Sequence, residues 1–170
     1  MIKLLKFNNN WKHFYAHEKE LLLKTLKGQE ISNIEHIGAT SVVMCETAGT
    51  IDLLLTIPNS LDFVTIKNIL VRKGYKFFEE KSDYTNIMFF GRRNSKGGVV
   101  ATIRVVEHSS IMHRRIIAFK YWLQENRLHV NKYNDFRKAL IEKCENDVAK
   151  YQTTKSDYIE SIINDFCVIK

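Results

Sequence analysis

Cysteine, proline and long apolar runs are all scarce in this chain, and each shortage removes a class of protein. The cysteines, Cys45, Cys144 and Cys167, are three in 170 residues, an odd count with no Cys-x-x-Cys pair. That argues against a zinc ribbon and against a disulfide framework. Cys144 and Cys167 fall on helical apolar stripes and read as small core residues. Cys45 lies in a connection, where exposure is expected, but no neighbouring base would make it a nucleophile. Pro58 is the single proline and marks one break, Pro58-Asn59-Ser60. No apolar run is long enough to cross a bilayer. The opening Met1-Ile2-Lys3-Leu4-Leu5-Lys6-Phe7 is too short and too broken by lysine for a secretory signal, so a cytoplasmic location without membrane association is expected. Internal repeats, low-complexity tracts and linkers are absent too.

What is present is ordinary for a globular protein: 45% hydrophobic and 26% charged residues, in a length that suits one domain over residues 1–170. The formal charge of +7 is unevenly placed, because residues 61–120 hold twelve Lys/Arg against five Asp/Glu while the flanking segments balance. Arg92, Arg93 and Lys96 cluster, with Arg104, Arg114 and Arg115 shortly after. A solvated basic surface explains such an excess; so does a groove for nucleic acid, with Tyr84 or Phe90 stacking on bases.

Apolar spacing predicts a first helix over 10–28, capped by Asn10 and stopped by Gly28, with Trp11, Phe14, Glu18, Leu22 and Leu26 on one face. His13 and His17 fall on its polar face, without a third metal ligand. Strands are expected over 31–37, 50–57, 75–78, 86–90 and 99–106, a short helical turn over 40–45 and a helix over 61–73. Asn94-Ser95-Lys96-Gly97-Gly98 reads as a hairpin turn. Helices over 110–126, 130–151 and 155–168 complete an α+β chain: a mixed sheet, helices mainly on one face, and a helical C-terminal region.

The chemistry concentrates in Glu35-His36-Ile37-Gly38-Ala39-Thr40-Ser41 and in Ile51-Asp52-Leu53-Leu54-Leu55. Glycine lets backbone amides approach an anion, and the Thr40 and Ser41 hydroxyls can donate to phosphate oxygens or cap the next helical turn. Asp52 near the start of an apolar strand can hold a divalent cation that neutralises such phosphates. Strand alternation puts residue 54 beside it, where a second carboxylate would complete a metal pair; that residue is Leu54. Glu107, ending a later strand, is then the candidate further ligand, or a solvated strand-end residue. His36 shares the face of Gly38 and is expected either to border the cleft or to be a hydrogen-bonded structural histidine; Glu35, facing the other way, is expected to pair with a basic residue.

The segment Ile34 to Val42, followed by Ile51-Asp52, resembles the GrpB family, which has a nucleotidyltransferase-like fold and a poorly defined function. The likeness extends to Phe119-Lys120-Tyr121-Trp122-Leu123, to the Tyr133 helix and to Lys155-Ser156-Asp157-Tyr158. This chain departs from the family at Ala39 (usually Ser), Val43-Met44 (Pro-Gly), Ala48-Gly49 (Lys-Pro) and Thr102-Ile103-Arg104 (His-x-His). The resemblance implies the nucleotidyltransferase sheet, and the leading expectation on it is a cleft for a nucleotide or other phosphorylated anion, with Gly38, Thr40, Ser41, His36 and Arg104 binding substrate and Asp52 catalytic. Asp52 and Glu107 would then hold Mg²⁺ for nucleotidyl transfer. Arg104 stands where the family has histidine, either contacting phosphate in place of a metal or closing the site by pairing with Asp52 or Glu35. The competing expectation is a non-catalytic module that docks nucleic acid or an acidic protein through the basic middle third.

Overall fold

A computed structural model describes residues 2–58, 63–79, 87–145 and 147–169, with 167–169 described by backbone alone. The described elements are α1 (Asn10–Thr25), β1 (Asn33–Ile37), a 3-10 turn (Ala39–Ser41), β2 (Ile51–Ile57), α2 (Phe63–Arg72), β3 (Lys76–Phe78), β4 (Ile87–Arg93), β5 (Val99–Glu107), α3 (Ile111–Glu125), α4 (Arg127–Cys144) and α5 (Val148–Ile169). The strands form one sheet in the order β1-β2-β5-β4-β3. The β2/β5 pair is parallel and the β1/β2, β4/β5 and β3/β4 pairs are antiparallel. The fold is therefore α+β with a mixed sheet.

Alternation sorts the strand residues onto two faces. The back face carries Ile34, Leu53, Leu55, Ile103, Val105 and Phe90, which pack with Leu22 and Leu26 from the α1 region and Ile66 and Leu70 of α2 into the largest apolar cluster. On the front face Ile37, Leu54 and Val106 meet Met112, Ile116 and Ile117 of α3. Helices thus cover both faces, and α3 takes the β1–β2 side of the front one. Next to it, α4 and α5 build the helical C-terminal region around Tyr133, Phe136 and Tyr158.

Local differences from the expected pattern have local causes. Asn10 is the first residue of α1 rather than its cap, and the Asn8 side chain accepts from its amide at 2.9 Å. Phe14 is 52% exposed because the buried stripe runs through Trp11, Tyr15, Glu18 and Leu22 instead. The expected turn over 40–45 shrinks to a 3-10 turn over Ala39–Ser41. Further on, the chain breaks at Glu145, which takes a left-handed conformation at φ 46, and not at 152–154. Asp147 then caps α5 by accepting from Lys150 N at 3.0 Å. The hairpin forms as expected, with Asn94 Oδ1 accepting from the amides of Lys96 and Gly98, both at 3.0 Å. The expected starts at residues 61 and 86 lie outside the described residues.

Candidate functional site

The site begins where β1 ends. Gly38 has φ 69, a conformation L side chains rarely adopt, and a Cβ placed on it would lie 2.3 Å from Asp52 Oδ2. Glycine is therefore demanded twice, by the backbone angle and by the carboxylate that leans against it. Ile37 and Asp52 are register partners, so the turn follows directly from the strand that flanks the acid. Asp52 Oδ1 accepts a hydrogen bond from the Thr102 hydroxyl, its partner on β5. Oδ2 has no hydrogen-bond partner among the described residues, and the residue is only partly buried.

One step along the same strands lies the second pair, Leu54 and Arg104. Alternation correctly puts Leu54 on the Asp52 face, but α3 covers it completely, at 0% exposure. Arg104 stays partly exposed. Its guanidinium sits over the Phe89 ring, 5.3 Å from the centroid, and forms no ion pair among the described residues. The alternative in which Arg104 locks the site by pairing with Asp52 or Glu35 is thus not the one adopted.

Glu107 does not join this group. It pairs with Ile57, five residues along β5 from Thr102, roughly 17 Å away by strand rise, and it points to the back face. A shared ion between Asp52 and Glu107 is excluded by that geometry. Among the described residues no trio of His, Cys, Asp and Glu gathers around a metal position. What is left, one carboxylate oxygen without a hydrogen-bond partner among the described residues, offers too few donors for a resident Mg²⁺ site.

Thr40, Ser41 and His36 have structural work. Thr40 is 1% exposed; its hydroxyl donates to Thr50 O at 3.4 Å and lies 2.8 Å from His36 Nε2. The Ser41 hydroxyl donates to Gly38 O at 2.7 Å, inside the turn. His36 lies on the back face, stacked on Tyr15 at 4.6 Å, and burial together with the nearby Lys120 charge depresses its pKa to about 4. It therefore holds the turn from behind as a neutral ring and does not face Asp52. Glu35 is on the front face and takes basic partners as expected, Lys120 Nζ at 3.7 Å and His113 Nε2 at 4.0 Å.

The segment after the turn is clamped by residues that sequence reading passed over. Asn134 Oδ1 accepts from Glu46 N at 2.9 Å and Nδ2 donates to Met44 O at 3.1 Å. Arg137, 4% exposed, donates to Glu46 O and to Asn134 Oδ1 and lies 4.2 Å from the Tyr133 ring centroid. Cys45 is not exposed but wholly buried under this clamp, and burial pushes its thiol up to about 11, which makes it inert. The visible hint was an Asn and an Arg three apart on the Tyr133 helix, a polar pair on an otherwise apolar side.

The basic cluster is dispersed. Arg92 points to the back face and pairs with Glu18, whereas Arg115 pairs with Glu160 of α5. Arg93 donates to Gly97 O within the hairpin. Phe90 is fully buried and offers no face to a base; Tyr84 lies outside the described residues.

Comparison with known proteins resolves the family. The model of the GrpB family, described as GrpB protein, matches residues 1–165. The chain belongs to the GrpB family. It is 24% identical over 164 residues to the glutamate-rich protein GrpB of Alkalihalophilus pseudofirmus, covering 95% of this chain and 94% of that one. A crystal structure of conserved protein GrpB from Enterococcus faecalis superposes with TM-score 0.81 at 20% identity over 96% of both chains. The Cid1 poly(U) polymerase with MgGTP bound matches at TM-score 0.51 and 13% identity, over 80% of this chain and 42% of that one. At that identity the likeness shows the fold, which is nucleotidyltransferase-like.

Within this member of the GrpB family, register brings Thr102 and Arg104 together with the acid. The two positions flank Asp52 and Leu54 on the neighbouring strand, so changes there alter the charge of a single four-residue patch. In this GrpB chain the patch reads Asp, Leu, Thr, Arg: one negative and one positive group.

Proposed function

We propose that this chain binds a nucleotide, or another phosphorylated anion that carries Mg²⁺, on the front face between the Gly38 turn and Arg104. Arg104 is the observation that carries this reading. A guanidinium that is partly buried and free of ion pairs among the described residues, diagonal to an open carboxylate, is suited to phosphate oxygens, which it can take in bidentate fashion. Asp52 supplies the complementary half, an anionic oxygen for the ion that travels with the phosphates; when bound, that ion neutralises phosphate charge. Thr102 fixes the Asp52 rotamer through its hydroxyl, and Gly38 leaves the space that the carboxylate fills.

The donor set favours binding over two-ion nucleotidyl transfer, since the second carboxylate position is a leucine packed under α3. Calorimetric titration with ATP in Mg²⁺ buffer tests the reading. Replacing Arg104 by glutamine is expected to weaken binding about tenfold or more, because hydrogen bonds to a charged group contribute roughly 1.5–3 kcal/mol. Equal affinity in a variant with unchanged Tm would reject it.

A further inference from the structure

Beyond the phosphate-binding patch, and past Val106 and Ile87, which pack with α3, the front face continues across β4 and β3 to two rings that join none of the apolar clusters. Phe78 and Phe89 lie side by side there, ring centroids 5.4 Å apart, as register partners on adjacent strands. Both stay partly exposed and, among the described residues, neither joins an apolar cluster, unlike Phe77 and Phe90 on the back face. Gly91 makes room for one of them: a Cβ at Gly91 would lie 2.6 Å from Phe78 Cε2 and 3.1 Å from Cζ, so the Phe78 ring occupies the space a side chain would take there. A cation flanks each ring, Arg104 over Phe89 at 5.3 Å and Lys76 over Phe78 at 5.5 Å from the centroids.

Two adjacent rings, one of them held against a glycine, bordered by positive charge and adjoining the proposed anion site, form a surface with a definite polarity. From Asp52 on β2, one strand spacing and two residues along β5 lead to Arg104, and a second spacing leads to Phe89, roughly 12 Å in all. We infer that Phe89 and Phe78 are a stacking platform for the base of the nucleotide whose phosphates lie at Gly38 and Arg104, an inference that rests on the phosphate reading above. Aromatic faces accept any base and hold the larger purine ring better, while Lys76 and Arg104 complement the negative charge at the rim. Arg104 then has two contacts, its guanidinium edge toward phosphate and its plane on Phe89.

Titrations of the full chain in Mg²⁺ buffer with ATP, UTP and inorganic tripolyphosphate separate the two claims. The platform requires ATP to bind about tenfold more tightly than tripolyphosphate, with UTP between them. Phe78→Leu, which does not touch Arg104, should remove most of that margin and leave tripolyphosphate affinity unchanged, whereas Phe89→Leu, which also takes the ring from beside Arg104, should remove the margin and lower both affinities. If ATP and tripolyphosphate bind equally to the wild type, the platform is overturned and the anion site stands. If ATP keeps its margin in both variants, the base stacks elsewhere and the platform is again overturned. If neither ligand binds, both claims fall. The wild-type comparison decides the matter even where a leucine variant does not fold.

Discussion

At residue scale, His36 shows how placement rather than type decides a role. A histidine next to a glycine turn invites a catalytic reading, yet the ring is stacked on Tyr15, bonded to Thr40 and kept neutral by burial. The folded pKa of about 4 lies below the ordinary value of 6.5, so between those values the unfolded chain binds the extra proton. The contribution is therefore fully present above pH 6.5 and is lost as pH falls toward 4, by about 2–3 kcal/mol. Urea unfolding from pH 7 to 4 should show that loss in the wild type and a smaller one in His36→Gln, whose neutral side chain can still reach Thr40. Identical pH slopes in the two proteins would mean that His36 titrates normally in the fold.

At the scale of elements, α3 decides which part of the β2 strand is site and which is core. Its Met112, Ile116 and Ile117 close over Leu54 and stop short of Asp52. Leu54→Asp consequently buries a carboxylate in an apolar cluster and should destabilise the fold by more than the ~3 kcal/mol typical of Leu→Ala, without creating a metal pair. A variant that stays as stable as the wild type and binds Mg²⁺ tightly would contradict that packing. Period-2 alternation made the faces of β2 and β5 legible in the sequence, and the Gly38 turn and the hairpin at Asn94 were equally plain. What alternation does not carry is the strand order or the helix that will cover a face. Glu107 therefore passed as a neighbour of Asp52 when the parallel register puts it at the far end on the other side. The Asn134 and Arg137 pair was visible on its helix, but its role was not, for the same reason: its partners are about 90 residues away in sequence.

For the molecule as a whole, the excess of +7 is a property of composition more than of one surface. Arg92 is tied to Glu18, which is 7% exposed, across the back face, so Arg92→Ala strands a nearly buried carboxylate. The double variant Arg92→Ala/Arg93→Ala should lose roughly 2–3 kcal/mol of stability by urea unfolding, while the salt dependence of any nucleic-acid binding stays as it was. A shallower salt slope with unchanged stability would instead return Arg92 to an interaction surface. In the proposed reading the charge that binds ligand is local, the pair Asp52 and Arg104, with different jobs for the two halves: Arg104 would meet phosphate directly and Asp52 would meet it through an ion the ligand brings. The sharpest measurement is ATP affinity of wild type and Asp52→Asn, each in Mg²⁺ and in EDTA. Mg²⁺ alone should bind the free wild type weakly, Mg²⁺ should tighten ATP binding to the wild type several-fold, and Asp52→Asn should lose that gain while binding ATP in EDTA at least as well as the wild type, because a like charge has been removed. An Asp52→Asn protein that keeps the full Mg²⁺ gain, or that loses ATP affinity in EDTA, would contradict the division of roles.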